Sequence, residues 1–177
     1  MSYLFSFSPR DTPTIFRRHM EFIQNSGIVT AMISLLNAPR GTRLYERLSR
    51  EGRLRGQMTG DNLDGTMNFV PQMDWGTLRD GYRDLLRTIY APGPYYRRVR
   101  SFLREYQPPR FAFSPNWAGV EALGRSILRL GVFGRERFHY WGLLAWTCFR
   151  RPALFRLAVT LAIYGHHFRK VAARVDM

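Results

Sequence analysis

The sequence predicts an α/β amino end, an incomplete βαβ unit, followed by a mainly α-helical remainder. Three observations carry this expectation. Tyr3 to Phe7 and Ile28 to Leu36 are apolar runs separated by a stretch with helical periodicity. The second run is interrupted only by Thr30 and Ser34, which suits a strand covered on both faces of a parallel sheet. Beyond residue 73, apolar positions recur every three or four residues and are broken by Pro and Gly. Two strands alone do not make a stable parallel sheet, so either later segments complete it or the rest of the sheet lies outside this chain.

The elements follow in order. After Tyr3 to Phe7, Thr12 is placed to N-cap a helix and Pro13 suits its first turn. Ile15, Phe16, His19, Phe22 and Ile23 then face inward, and Gly27 stops the helix. After the second strand, Asn37-Ala38-Pro39-Arg40-Gly41-Thr42 reads as a turn. Arg43 to Arg50 is a short amphipathic helix with Leu44, Tyr45 and Leu48 on one face, ending at Gly52. Residues 56–73 are glycine-rich and polar and read as a long ordered loop. Asp74 or Thr77 caps the next helix, which turns Leu78, Tyr82, Leu85, Leu86 and Ile89 inward. Ala91-Pro92-Gly93-Pro94 breaks it, and Pro94 opens another helix. In that helix Tyr95, Val99, Phe102, Leu103 and Tyr106 face one way, and Arg97, Arg98, Arg100 and Arg104 face the other. Residues 107–116 read as a Pro-rich linker, and helices are expected over 117–131, 136–149 and 153–173. The organisation is therefore 1–55, 56–106, the linker 107–116, and a basic helical tail over 117–177.

Composition sets the bounds on function. The 177 residues carry a net charge of +14, and 15% of them are aromatic. Of the 27 basic residues, all but Lys170 are arginine. Residues 107–177 hold 11 basic and 3 acidic residues, so the tail is the more basic part. Arginine binds phosphate bidentately, which makes an anionic partner reasonable. Cys148 is the single cysteine, which excludes a disulfide scaffold or cysteine knuckle, and its apolar neighbours suggest a buried, inert thiol. His19, His139, His166 and His167 have no carboxylate or thiol at ligand spacing. The Asp61-Asn62-Leu63-Asp64-Gly65 stretch reads as a turn rather than a calcium loop.

Pro152 to Gly165 is too short to span a bilayer and carries Arg156, and the amino end lacks the basic flank of a signal peptide. A cytoplasmic protein is expected. Trp141, Trp146, Phe149 and Phe155 beside Arg150, Arg151 and Arg156 have the composition of an interfacial helix. They make an anionic membrane surface at the inner face the alternative partner. No nucleic-acid motif interleaves aromatics with arginines, which places that class of partner third.

Three segments carry a resemblance. Phe16 to Ile28, then Ala38-Pro39-Arg40-Gly41-Thr42-Arg43-Leu44-Tyr45-Glu46-Arg47-Leu48, then Glu51 to Leu54 resemble the closing part of a radical SAM barrel. Gly60 to Pro71, Leu86 to Tyr90 and Ala158 to Gly165 resemble the carboxyl-terminal extension of cobalamin-binding-domain radical SAM proteins, an extension of unknown function. The resemblance implies a complete enzyme with a cobalamin domain and a partial TIM barrel whose three-cysteine loop holds a 4Fe–4S cluster. Such an enzyme cleaves SAM to a deoxyadenosyl radical for methylation or rearrangement. This chain resembles only the last third. Tyr3 to Phe7 would match the fifth barrel strand and Ile28 to Leu36 the sixth, with Ser6 and Ser8 standing where the family tends to carry a glycine and an acidic residue. By resemblance, Asn37, Ala38, Pro39, Gly41 and Thr42 would line the SAM end, and the loop with Asn62, Asp64, Thr66 and Asn68 would approach substrate. The implied partner is the missing barrel and cobalamin domain. Alone, the chain is expected to be inactive, and the alternative is a basic helical module docking on a membrane surface or partner protein.

Overall fold

A computed structural model describes residues 2–7, 13–56, 66–108, 123–132, 134 and 136–174. Its elements are β1 (Ser2–Phe7), α1 (Thr14–Asn25), β2 (Thr30–Leu35), α2 (Arg43–Arg50), α3 (Trp75–Tyr90) and α4 (Pro92–Glu105). A π-helical turn (Ile127–Val132), α5 (Arg137–Arg150), a 3-10 turn (Pro152–Leu154) and α6 (Phe155–Arg174) complete the order. The expected α/β amino end and helical remainder are both present. β1 and β2 pair in parallel, with Ser2 opposite Thr30 through to Phe7 opposite Leu35, and α1 is the crossover.

One cluster of buried side chains runs from Phe16 on α1 and Ile33 on β2 through α3, α4 and α5 to Ala172 on α6. A close approach joins α4 to α6: the Tyr95 ring lies where a Cβ on Gly165 would stand, and the Tyr95 hydroxyl donates to Leu161 O at 2.6 Å. Only glycine admits the ring there. β2 is buried along its length except at Met32.

The edge of β2 away from β1 is closed by tyrosines of α3. Tyr90 Oη donates to Ala31 O at 2.6 Å and accepts from Ala31 N at 3.2 Å, while Tyr82 Oη donates to Ile33 O at 2.9 Å. A parallel strand presents the N–H and C=O of alternate residues to the same side, so these hydroxyls stand where a further strand would hydrogen-bond. Burial pushes the Tyr90 phenol up to about 12, which keeps its proton in place to donate.

α3 ends without a glycine cap. Ala91 takes the extended conformation (φ −54°, ψ 140°) that a residue before proline prefers, and the next helix opens on Pro92, not on Pro94 as the sequence suggested. The carbonyls left over at the end of α3 find arginines: Ile89 O accepts from Arg98 Nη2 at 2.7 Å, and Tyr90 O from Arg169 Nη1 at 3.3 Å.

Arg98 is the principal correction to the helix faces read from the sequence. It is 1% exposed, with Nε donating to Ile28 O at 3.0 Å and Nη1 to Gln24 Oε1 at 2.8 Å. Arg100 is half-buried rather than solvent-facing. Phe22, expected inward on α1, is 55% exposed. Asp74, not Thr77, caps α3, its carboxylate accepting from Thr77 N at 3.0 Å. The expected Thr12 cap, most of the linker and the first part of the 117–131 helix lie outside the described residues.

Replacing Tyr90 with Phe removes the partner of two buried backbone groups at once. The expected cost is about 1–3 kcal/mol, read as a lower urea or thermal midpoint, whereas Tyr164→Phe on the exposed side of α6 should leave the midpoint in place. An unchanged Tyr90→Phe midpoint would mean that something other than the hydroxyl satisfies the edge.

Candidate functional site

The chain leaves the carboxyl end of β2 through Asn37 and enters α2 at Thr42. Gly41 turns it in the left-handed region (φ +81°), which L side chains rarely adopt. Thr42 then caps α2: its hydroxyl donates to Pro39 O at 2.7 Å and accepts from Tyr45 N at 3.2 Å.

The second expected segment comes to the same place. Residues 53–55 and 68–70 meet in a short antiparallel bridge, with Val70 N donating to Arg53 O at 2.8 Å and Arg55 N to Asn68 O at 2.7 Å. Part of the loop expected over 56–73 is therefore strand-paired. Arg53 fastens the bridge, its Nη2 donating to Val70 O at 2.6 Å and its Nη1 to Glu51 Oε2 at 2.9 Å. Asn68 then joins bridge to turn. Its amide accepts from Ala38 N and donates to Ala38 O, both at 2.8 Å, and its backbone N–H donates to Asn37 Oδ1 at 2.9 Å. Asn37 Nδ2 reaches Thr66 O at 3.3 Å. Ala38, Leu48 and Phe69 form a small core of their own beneath this junction.

The structure thus brings Asn37 to Thr42 together with Thr66 and Asn68. It also divides their labour. Ala38 and Asn68 are buried, and the polar atoms of Asn37, Thr42 and Asn68 are engaged inside the junction, while Pro39, Arg40, Gly41 and Thr66 are exposed. The junction presents an exposed surface of Pro39, Arg40, Gly41 and Thr66 at the end of the strand, tied from behind by the hydrogen bonds of Asn37, Thr42 and Asn68. Asn62 and Asp64 lie outside the described residues.

The expected membrane or anion contacts lie on α5 and just after it. Arg150 and Arg156 are exposed, and Trp141 is 47% exposed with its indole N–H donating to Gly131 O at 3.1 Å. Trp146 is half-buried, with the Arg104 guanidinium 5.9 Å from its ring. Arg151 is half-buried too, its Nη2 donating to Tyr106 O at 2.8 Å at the end of α4. The exposed row instead runs through Phe138 (77%), Trp141 and Phe149 (88%), and Cys148 stands exposed within it, not buried as its neighbours implied. No Asp, Glu, Lys or Arg stands between Arg137 and Arg150. That signal was present in the sequence: Phe138, Trp141, Ala145 and Phe149 recur at helical spacing on the face opposite Tyr140, Leu143 and Thr147. Among the described residues no group of His, Cys, Asp and Glu is arranged to hold a metal ion, and no helix is long and apolar enough to cross a membrane.

Asn68→Ala should cost about 2 kcal/mol or more, since it strips both backbone partners from a buried Ala38. Amide exchange at Ala38 should speed up in step. Slow exchange there in the variant would show that the junction does not depend on this side chain.

Comparison with known proteins places these features in a family. A family model described as a domain of unknown function (DUF4070) matches residues 42–177. An uncharacterized methyltransferase of Synechocystis sp. is 32% identical over 155 residues, which cover 85% of this chain and 29% of that protein. A hopanoid C-2 methylase of Rhodopseudomonas palustris is 27% identical over 139 residues, covering 74% of this chain and 25% of the relative. The chain therefore spans between a quarter and a third of the length of these curated relatives. No solved structure matches. With the family model covering most of its length, the chain belongs to the DUF4070 family, and its relatives include proteins named as methyltransferases.

Proposed function

We propose that this chain is the carboxyl-terminal portion of a cobalamin-dependent radical SAM methylase-type enzyme. It supplies the last barrel strands and the helical extension, while the cluster and the cobalamin are held by the preceding parts of the enzyme. The observation that carries this reading is the asymmetry of the sheet. Tyr82 and Tyr90 occupy the outer edge of β2, whereas among the described residues no strand pairs with the other edge of β1. A sheet able to grow on one side is what the final strands of a longer barrel would leave. The methyltransferase names of the longer relatives support the same reading.

The residues present do not fit a 4Fe–4S cluster, which takes three thiolates where this chain has Cys148 alone, and no step through a cluster is assigned to them. Toward SAM they fit as a wall. In this reading Asn37, Thr42 and Asn68 are positioning residues that hold the exposed Pro39–Gly41 tip beyond the carboxyl end of β2, where barrel enzymes place their chemistry. SAM, when bound, supplies the transferable group. The chain contributes shape and exclusion of water, with Ala38 buried behind the tip, and it is inactive by itself.

A second reading is favoured by the row Phe138, Trp141 and Phe149 with Arg137 and Arg150 at its two ends: α5 rests on an anionic membrane surface. One relative is named as a hopanoid C-2 methylase.

Reading the DNA upstream of Met1 in all frames should reveal a cobalamin domain and a Cys-x-x-x-Cys-x-x-Cys barrel in the same or an adjacent frame. Finding neither would contradict the first reading. For the second, the chain should sediment with phosphatidylglycerol vesicles, less so at high salt, and a Phe138→Ser/Phe149→Ser/Arg150→Glu variant should lose that binding several-fold. Unchanged sedimentation of the variant would contradict it.

A further inference from the structure

A cavity of about 540 Å³ opens between the start of α4, the π-helical turn, the start of α5 and the last turns of α6. Its polar lining is Arg129 from the π turn, Glu136 just before α5, and His166, Arg169 and Lys170 from α6. Glu136 is buried at 3% exposure, and its carboxylate is held by an ion pair with Arg169 and by His166 Nδ1 at 3.1 Å. A carboxylate can only accept, so Nδ1 carries the proton and donates, which makes Nε2 of the neutral ring an acceptor. That Nε2 is buried with no hydrogen-bond partner. Burial first, then the nearby charges of Lys170 and Arg129, and then His167, hold the His166 imidazole below its ordinary titration range, so it is neutral at pH 7.

A structural tie between α5 and α6 accounts for Glu136 and Arg169, whose charges cancel. It does not account for the rest. Arg129 and Lys170 are exposed at the cavity and make no hydrogen bond or ion pair with any described residue, which leaves the lining with two uncompensated positive charges. Arg129 also sits in a π-helical turn, a rare backbone form that is frequent at binding sites. An anion would match the two cations.

We infer that this cavity binds a phosphate-type anion, with Arg129 and Lys170 neutralising its charge beside the neutral His166 ring. The phosphate belongs either to a free small molecule or to a lipid headgroup, and one experiment separates the two. The site is independent of the turn at the end of β2, so its failure would leave the barrel reading untouched.

The test follows the imidazole of His166 by NMR in the full chain, titrated with sodium phosphate and, separately, with short-chain phosphatidylglycerol below its micelle concentration, against chloride at matched ionic strength. Filling the site with an anion should raise the His166 midpoint by about one pH unit, saturably. The effect should vanish in Arg129→Ser/Lys170→Ser, whose exposed positions leave the thermal midpoint unchanged. A response to phosphate identifies the free ligand, and a response to phosphatidylglycerol alone identifies a headgroup. No saturable shift with either probe, or an equal shift in the double variant, overturns the inference.

Discussion

Backbone groups left over at helix ends and along the outer edge of β2 must find partners once they are buried, and in this chain arginine and tyrosine side chains supply them. Arg98 is the centre of that arrangement. From α4 it reaches Ile28 O at the entry to β2, Ile89 O at the end of α3 and the Gln24 amide near the end of α1, and its guanidinium lies 5.6 Å from the Tyr95 ring centroid. Among the described residues its hydrogen-bond partners include no carboxylate. The charge is instead solvated by carbonyl dipoles, two of them at or just beyond helix carboxyl termini, where positive charge is favoured. Hydrogen bonds from a charged donor contribute about 1.5–3 kcal/mol each, so this one side chain ties together four elements whose ends would otherwise be unsatisfied.

The same chemistry disposes of part of the basic excess. Arg169 serves the end of α3, Arg151 the carbonyl of Tyr106 after α4, and Arg53 the carbonyl of Val70 beneath the junction at the end of β2. A net charge of +14 therefore overstates what is on offer to a partner. The arginines still exposed are spread over every helix from α1 to α6, so charge by itself marks no single surface.

The sequence made the βαβ unit and the order of the helices legible, because each rests on local signals: apolar runs and proline and glycine stops. Arg98 was not legible. Periodicity assigns an arginine on a polar stripe to solvent, and only the tertiary arrangement of α1, β2 and α3 shows three acceptors converging on it. The exposure of Cys148 was missed for the complementary reason. α5 is apolar all round, so its composition does not say which face is covered. The hydroxyls of Tyr82 and Tyr90 read simply as core positions, since nothing local marks a tyrosine as the partner of a strand edge about 50 residues away or more.

A sheet sealed at β2 and, among the described residues, unpaired beyond β1 is the property on which the functional reading turns, and native-state amide hydrogen exchange on the intact chain measures it residue by residue. The account predicts that the Ala31 amide exchanges only with global unfolding, as slowly as the amides in the middle of α3, while the outward-facing amides of β1 exchange orders of magnitude faster. An Ala31 amide as fast as those of β1, or β1 amides protected on both sides in the chain by itself, would contradict it.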